Sequence, residues 1–167
     1  DRPLDSHSHP RGKILKFSKK ARKNMLETVS RINWEACKAV FITLTYHQPV
    51  SSAKQCKGHL RAFLKRLYRK YGELPVLWRI ERQPKRGAWH FHMIVFNLPY
   101  FPIKTLLEWW REITNQPTIT QCDIQVIASA RKARSYVAKY CGKAEVSRHD
   151  YPTNSAVCAL PGRFWGI

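Results

Sequence analysis

The segment Trp89-His90-Phe91-His92-Met93-Ile94-Val95-Phe96 decides the fold, because it is an apolar run interrupted by two histidines two positions apart. A short apolar run of this length predicts a buried β-strand. Side chains alternate between the two faces of a strand, so His90 and His92 share one face. The sequence therefore predicts two imidazoles side by side on one strand.

Glu81 adds a carboxylate to this pair. If Pro84-Lys85-Arg86-Gly87 is a four-residue turn, residue 81 lies on a preceding strand and pairs directly with residue 90. Glu81, His90 and His92 then converge on one face of a hairpin. Two imidazoles and one carboxylate, with coordination positions left open, suit Mn²⁺ or Mg²⁺ acting on an oxygen-rich substrate, for which phosphate is the obvious candidate.

The overall charge also points to a polyanionic partner. The 167 residues include 30 Lys and Arg but only 11 Asp and Glu, which gives a formal net charge of +19. Solubility does not require such an excess, whereas nucleic acid attracts it. A ribosomal protein or a membrane-surface binder would share this composition. Six Trp, seven Tyr and seven Phe add rings that either fill the core or stack on unpaired bases.

Length and composition predict one globular domain with a core of its own. We expect a flexible N-terminal arm at 1–12, the domain at 13–144, and a C-terminal extension at 145–167 that can pack on it. The chain has no apolar run of membrane-spanning length and no signal-peptide pattern, which indicates a cytoplasmic protein. The five cysteines include no C-x-x-C pair, so we expect free thiols.

Hydrophobic periodicity divides the chain into alternating helices and strands. Inward-facing positions include Leu26 on the first helix and Ile103 on the third. The predicted elements are a helix from Ser18, a strand at 38–46, a helix from Ser51 or Ser52 to Gly72, a hairpin at 76–96, a helix from Pro102 to about 115, a strand at 123–127, and a helix from Ser129 to about Gly142.

The last of these helices carries a second chemical signal. At 100° per residue, two phenols one turn apart fall in a stripe with three ammonium groups. Ammonium groups favour the phenolate and can hold phosphate, which matters because a free phenol ionises only near pH ~10. Tyrosines that merely cover the edge of the core would give the same pattern. The stripe consists of Lys132, Tyr136, Lys139, Tyr140 and Lys143.

Three motifs in order resemble the HUH endonucleases that initiate rolling-circle replication. They are Phe41-Ile42-Thr43-Leu44-Thr45, His90-Phe91-His92 and Tyr136-Val137-Ala138-Lys139-Tyr140. More narrowly, Trp78-Arg79-Ile80-Glu81 and Gly162-Arg163-Phe164-Trp165-Gly166 are similar to replication-associated proteins of filamentous phages and related plasmids. The resemblance implies an α+β fold, in which helices pack on an antiparallel central sheet as in ferredoxin-like or RRM-like domains.

The resemblance also implies a chemistry. His90, His92 and Glu81 would hold Mn²⁺ or Mg²⁺ at the scissile phosphate of single-stranded DNA. Tyr136 would attack phosphorus, with Lys139 beside it, to give a 5′-phosphotyrosine and a free 3′-hydroxyl. Tyr140 is the nucleophile in place of Tyr136, a second nucleophile that alternates with it, or a structural residue. No nucleotide cofactor is needed, in keeping with the lack of a Gly-rich phosphate loop.

The expected partner is the single-stranded DNA of a replication origin, in a hairpin where the origin forms one. Candidate DNA contacts are Lys85, Arg86, Trp89, Lys132 and Lys143. A host helicase or polymerase is a further candidate partner, and no membrane is expected. The alternatives are a single-tyrosine HUH transposase, a mobilisation relaxase, in which the tyrosine usually precedes the histidine pair, and a non-catalytic binder of single-stranded nucleic acid.

Overall fold

The computed structural model describes residues 18–48, 50, 52–82, 87–129, 131–133, 135–136 and 165–167. Across these residues, five strands form one antiparallel sheet with helices packed on it, which confirms the predicted α+β fold. The elements are α1 (Lys19–Ser30), β1 (Ala39–Thr45), α2 (Ala53–Tyr71), β2 (Val76–Arg82), β3 (Trp89–Phe96), α3 (Ile103–Thr114), β4 (Asp123–Ile127) and β5 (Trp165–Gly166). Residues 131–133 and 135–136 are also helical.

Strand β3 lies at the centre of the sheet, whose order is β4-β1-β3-β2-β5. All of its residues are buried, because it has a strand on each side and packed side chains on both faces. Glu81 pairs with His90, as the hairpin register predicted. Gly87, at the end of the turn, has φ +64°, a left-handed conformation that favours glycine.

One face of the sheet packs against α2 and α3. Alternate residues of β1, β2 and β3 supply this core, among them Ile42, Ile80 and Phe91, all fully buried. They meet Phe63 of α2 and Trp110 of α3. The indole N–H of Trp110 donates to the carbonyl of Thr45 at 2.9 Å, which fixes α3 against the end of β1.

The opposite face is apolar at one end and polar at the other. Phe41, Leu77 and Ile94 form an apolar cluster with Met25 of α1 and with Ala133. Two residues further along the same face, the strand positions become polar. The positions are occupied by Thr43 and Thr45 on β1, Arg79 and Glu81 on β2, and His90 and His92 on β3.

Capping follows the sequence prediction. Ser18 accepts from the amide of Ala21 at 3.2 Å, and Ser52 accepts from that of Gln55 at 3.4 Å. Ser129 accepts from the amide of Lys132 at 3.2 Å, so the last predicted helix also begins where expected. Such side-chain caps satisfy amides that have no partner within a helix.

Two inward assignments were wrong. Leu26 and Ile103 are each 45% exposed. Leu26 is 100° around the helix from Met25, outside the stripe that Met25 and Val29 form on the sheet. Ile103 lies a full turn before Leu106, where the buried stripe of α3 begins.

The sequence analysis also missed strand β5. Trp165 pairs with Arg79 and Gly166 with Trp78, so the predicted extension ends as an edge strand next to β2. Two residues are too few to show a period, and the pairing is visible only in three dimensions.

The predicted arm at 1–12 lies outside the described residues. Among the helices that the structure describes, none has both the length and the apolar character needed to cross a bilayer.

Candidate metal centre

Glu81, His90 and His92 converge at the polar end of the sheet. The Nε2 atom of His92 is 3.0 Å from Oε1 of Glu81, and Nε2 of His90 is 3.7 Å from the same oxygen. One ligand atom from each residue lies within 4.8 Å of the other two. His90 and His92 are each only 9% exposed, so both residues are packed within the protein.

The backbone of the hairpin produces this convergence. His90 and His92 are two residues apart on β3 and therefore point to the same side. Glu81 is the cross-strand neighbour of His90 on β2. The two imidazole rings meet at 62° with centroids 5.4 Å apart, so each can turn one nitrogen toward the carboxylate.

Thr43 orients one of these imidazoles. It pairs with His92 across β1 and β3, and its hydroxyl oxygen lies 3.4 Å from Nδ1 of that ring. When Nε2 binds a metal, the proton of the neutral imidazole is on Nδ1, which can then donate to the hydroxyl of Thr43. A hydrogen bond of this kind fixes the tautomer and ring plane of a metal-binding histidine. The sequence analysis gave Thr43 no role, although it lies in the first of the three motifs.

Arg79 is a buried cation next to the triad. Its side chain is 8% exposed, and its NH2 group lies 3.8 Å from Oε2 of Glu81. Arg79 also pairs with His92 across β2 and β3. The two oxygens of Glu81 therefore face different partners, with Oε1 toward the imidazoles and Oε2 toward the guanidinium. The sequence analysis gave Arg79 no role. Its position two residues before Glu81 on the same strand indicates that both side chains lie on the same face of the sheet.

The donor set fits a divalent metal. Bonds of about 2.1 Å place adjacent ligand atoms roughly 3 Å apart in octahedral geometry. The separation of His92 Nε2 from Glu81 Oε1, 3.0 Å, matches this value, whereas His90 Nε2, at 3.7 Å, would have to approach that oxygen more closely. Two imidazole nitrogens and one carboxylate oxygen form a donor set that could hold a divalent metal ion. Three protein ligands leave positions free for substrate oxygens.

Tyr136 lies beside this centre. Its ring stacks on Phe41 with centroids 4.6 Å apart, and Phe41 also stacks on His92 at 5.7 Å. The phenolic hydroxyl donates a hydrogen bond to Oε1 of Gln125 on β4. Tyr136, His92 and Arg79 line the same small cleft, together with Met25 of α1.

The other predicted site residues do not lie together: one is exposed, one is buried in the core, and the rest are outside the described residues. Lys132 is exposed. Trp89 is 5% exposed and packs into the α2/α3 core, because alternation along β3 turns it away from His90. Its burial gives that indole a packing role. Lys85, Arg86, Lys139, Tyr140 and Lys143 lie outside the described residues.

Fold and site together define an α+β protein with a histidine–carboxylate triad on its central strands. The family model of the replication-associated protein ORF2 matches residues 39–145, well over half of the chain. The chain belongs to this family, which confirms the resemblance to replication-associated proteins. Searches of curated proteins and of solved structures give no match. Family membership supports a role in replication and an interaction with nucleic acid.

Proposed function

We propose that this protein is a metal-dependent endonuclease and strand transferase that nicks single-stranded DNA at a replication origin. The observation that carries this proposal is the triad of Glu81, His90 and His92, of which His92 lines a small pocket together with Tyr136. Membership in a replication-associated family supports replication as the process served. Family membership also favours a role in replication over a role in transposition.

The triad would hold Mn²⁺ or Mg²⁺, which supplies Lewis acidity at a non-bridging oxygen of the scissile phosphate. The protein contributes the fixed geometry. His90 and His92 sit on the central, fully buried strand, so their separation does not depend on a loop. Thr43 adds the hydrogen bond that holds the ring of His92.

Tyr136 is the proposed nucleophile. Its phenolic oxygen would form a bond to phosphorus while the bond from phosphorus to the 3′-oxygen breaks. The phenolic proton passes to solvent, and the departing 3′-oxygen takes up a proton. Because the phosphodiester energy stays in the phosphotyrosine bond, rejoining of the strand needs no nucleotide cofactor.

The hydrogen bond from Tyr136 to Gln125 bears on this step. The hydroxyl is bound to the edge strand β4, on the far side of β1 from the triad. Attack on phosphorus therefore requires the phenol to leave Gln125 when DNA enters the cleft. Tyr140 and Lys139 remain part of the proposal, the first as a second nucleophile and the second as a cation at the phosphate.

Cations around the site would track the DNA backbone. Lys132, which is exposed, comes one turn before Tyr136 on the same helical segment. We include Lys85, Arg86 and Lys143 with it as proposed backbone contacts, in line with the net charge of +19. Trp89 stays outside the proposed interface because its indole is buried.

The test is formation of a covalent adduct. The protein is incubated with Mn²⁺ and a randomised pool of single-stranded oligonucleotides labelled at the 3′ end. A 5′-phosphotyrosine retains the labelled fragment, so an adduct that survives denaturant is expected, and its sequence gives the nick site. Tyr136→Phe should abolish the adduct, and His90→Ala should abolish the Mn²⁺-dependent cleavage that produces it.

The wild-type protein could also bind DNA without forming any adduct. That result would contradict the endonuclease proposal and favour a non-catalytic binder. An adduct that persists in Tyr136→Phe and disappears in Tyr140→Phe would instead assign the nucleophile to Tyr140. Glu108→Gln, an exposed carboxylate change on α3, serves as the control and should leave the adduct unchanged.

A further inference from the structure

Arg79 places a positive charge on the buried side of the metal centre. It projects from β2 on the same face as the triad, between Leu77 of the apolar cluster and Glu81. Its side chain is 8% exposed. Removing a guanidinium from water to this extent carries a substantial desolvation cost, which nearby anions reduce. The Glu81 carboxylate, 3.8 Å away, is one such anion, and a metal bound to the triad would share it.

The cleft next to Arg79 connects it with the reacting groups. Arg79 lines the same small pocket as His92 and Tyr136. In the sheet, Arg79 pairs with His92 on β3 and with Trp165 on β5, so its strand is held on both edges. The backbone of Arg79 is therefore fixed next to a proposed metal ligand, and its side chain reaches the pocket that the proposed nucleophile also lines.

A charge count shows what this arrangement would accommodate. A divalent metal, the Glu81 carboxylate and the Arg79 guanidinium sum to two positive charges. A phosphodiester attacked by a phenolate carries two negative charges in the transition state. The site with Arg79 would balance that charge without a further cation, whereas the triad and metal alone would need Lys139 or another cation to do so.

We propose that Arg79 binds the scissile phosphate beside the metal centre, so that the phosphate is held between the guanidinium and the metal centre. This inference rests on the proposed function. A planar guanidinium matches two phosphate oxygens at once, which a lysine cannot do. Arg79 would thereby fix the phosphorus atom relative to Tyr136 as well as stabilise the developing charge.

The experiment measures binding of two simple probes, Mn²⁺ alone and then inorganic phosphate to the Mn²⁺-loaded protein, by calorimetry or by the Mn²⁺ electron paramagnetic resonance signal. For Arg79→Gln we expect phosphate affinity to fall at least tenfold while Mn²⁺ affinity changes less than threefold. Arg79→Lys should recover part of the phosphate affinity, and it supplies a folded comparison if the glutamine variant is unstable. Arg69→Gln, which removes an exposed cation from α2, should leave both affinities unchanged.

The outcomes separate this inference from the proposed function. Equal phosphate affinity in wild type and Arg79→Gln would overturn the inference and leave the metal centre intact. Loss of Mn²⁺ affinity in both Arg79 variants would also overturn it, because Arg79 would then act only by positioning Glu81. A wild-type protein that does not bind Mn²⁺ would contradict the proposed function itself.

Discussion

The ring of Tyr136 stacks on the ring of Phe41, with centroids 4.6 Å apart and planes inclined by 14°. Phe41 also stacks on His92, at 5.7 Å and 17°. One aromatic residue of β1 therefore contacts both the proposed nucleophile and a proposed metal ligand. This contact joins the helical residues 135–136 to the sheet.

Phe41→Leu tests that contact. We expect adduct formation to slow about tenfold, because the phenol loses the surface that orients it, while Mn²⁺ affinity stays within threefold. Large-to-small changes in a core also cost stability, here about 1 to 2 kcal/mol. Phe63→Leu on the opposite face is the matched control, which should lose similar stability but keep its adduct rate. Equal slowing in both variants would show that the effect is only stability.

Glu81→Gln should weaken Mn²⁺ binding by at least a hundredfold. It replaces the charged donor of the triad by an amide of the same shape, so the loss reports on the charge. Mn²⁺ should raise the melting temperature of the wild type and not that of the variant, since a ligand stabilises only a protein that binds it. Retention of the Mn²⁺-dependent shift in the variant would exclude Glu81 as a ligand. Glu108→Gln is the control.

Gly166→Ala should destabilise the edge strand β5. A Cβ at this position would lie 2.8 Å from Nε1 of Trp78, so the indole or the strand must move. We expect a loss of about 1 to 3 kcal/mol in the free energy of unfolding, as for other overpacked sites. Gly58→Ala is the counterpart, because a Cβ there meets no atom within 4 Å in the middle of α2. That change should stabilise the protein by about 0.5 to 1 kcal/mol. Urea denaturation measures both.

Stability should decrease in alkaline solution. Burial raises the pKa of Cys56 and of Cys122 from 9.0 to about 11 in each case. The unfolded chain releases these protons at lower pH than the folded chain, so the stabilisation is complete below pH 9 and is lost as the pH rises to about 11. Each thiol contributes roughly 2 to 3 kcal/mol on this basis.

Urea denaturation under reducing conditions between pH 8 and 11 measures how steeply the free energy of unfolding falls with pH. Replacing Cys56 and Cys122 by alanine should flatten this slope. Part of the slope should remain, because burial also raises the pKa of Tyr46, which hydrogen-bonds to His59 at 3.0 Å. A slope that the double replacement leaves unchanged would contradict the prediction.

Much of the candidate site was predictable from local patterns. The alternation of β3 placed His90 and His92 on one face, and the length of the turn set the pairing of Glu81 with His90. The periodicity of α2 and the Ser52 cap predicted that helix to within a residue. These features depend on residues close together in sequence.

Other features were not accessible from local patterns. The contact between Phe41 and Tyr136 joins residues far apart in sequence, and nothing in either segment specifies the other. The pairing of Trp165 with Arg79 likewise joins residues far apart in sequence. The burial of Trp89 was derivable from alternation, yet its place next to a basic turn suggested exposure instead.

The sequence by itself determined strands β1 to β4, helices α1 to α3 and the set of residues able to bind a metal, because backbone periodicity and donor chemistry are local properties. Only the tertiary structure decided that Tyr136 would line a small pocket with His92, that Thr43 would lie next to the ring of that histidine, and that Arg79 would be buried beside Glu81. The reason is physical: strand order and helix docking minimise the exposed apolar surface of the whole chain, and that sum cannot be read from any one segment.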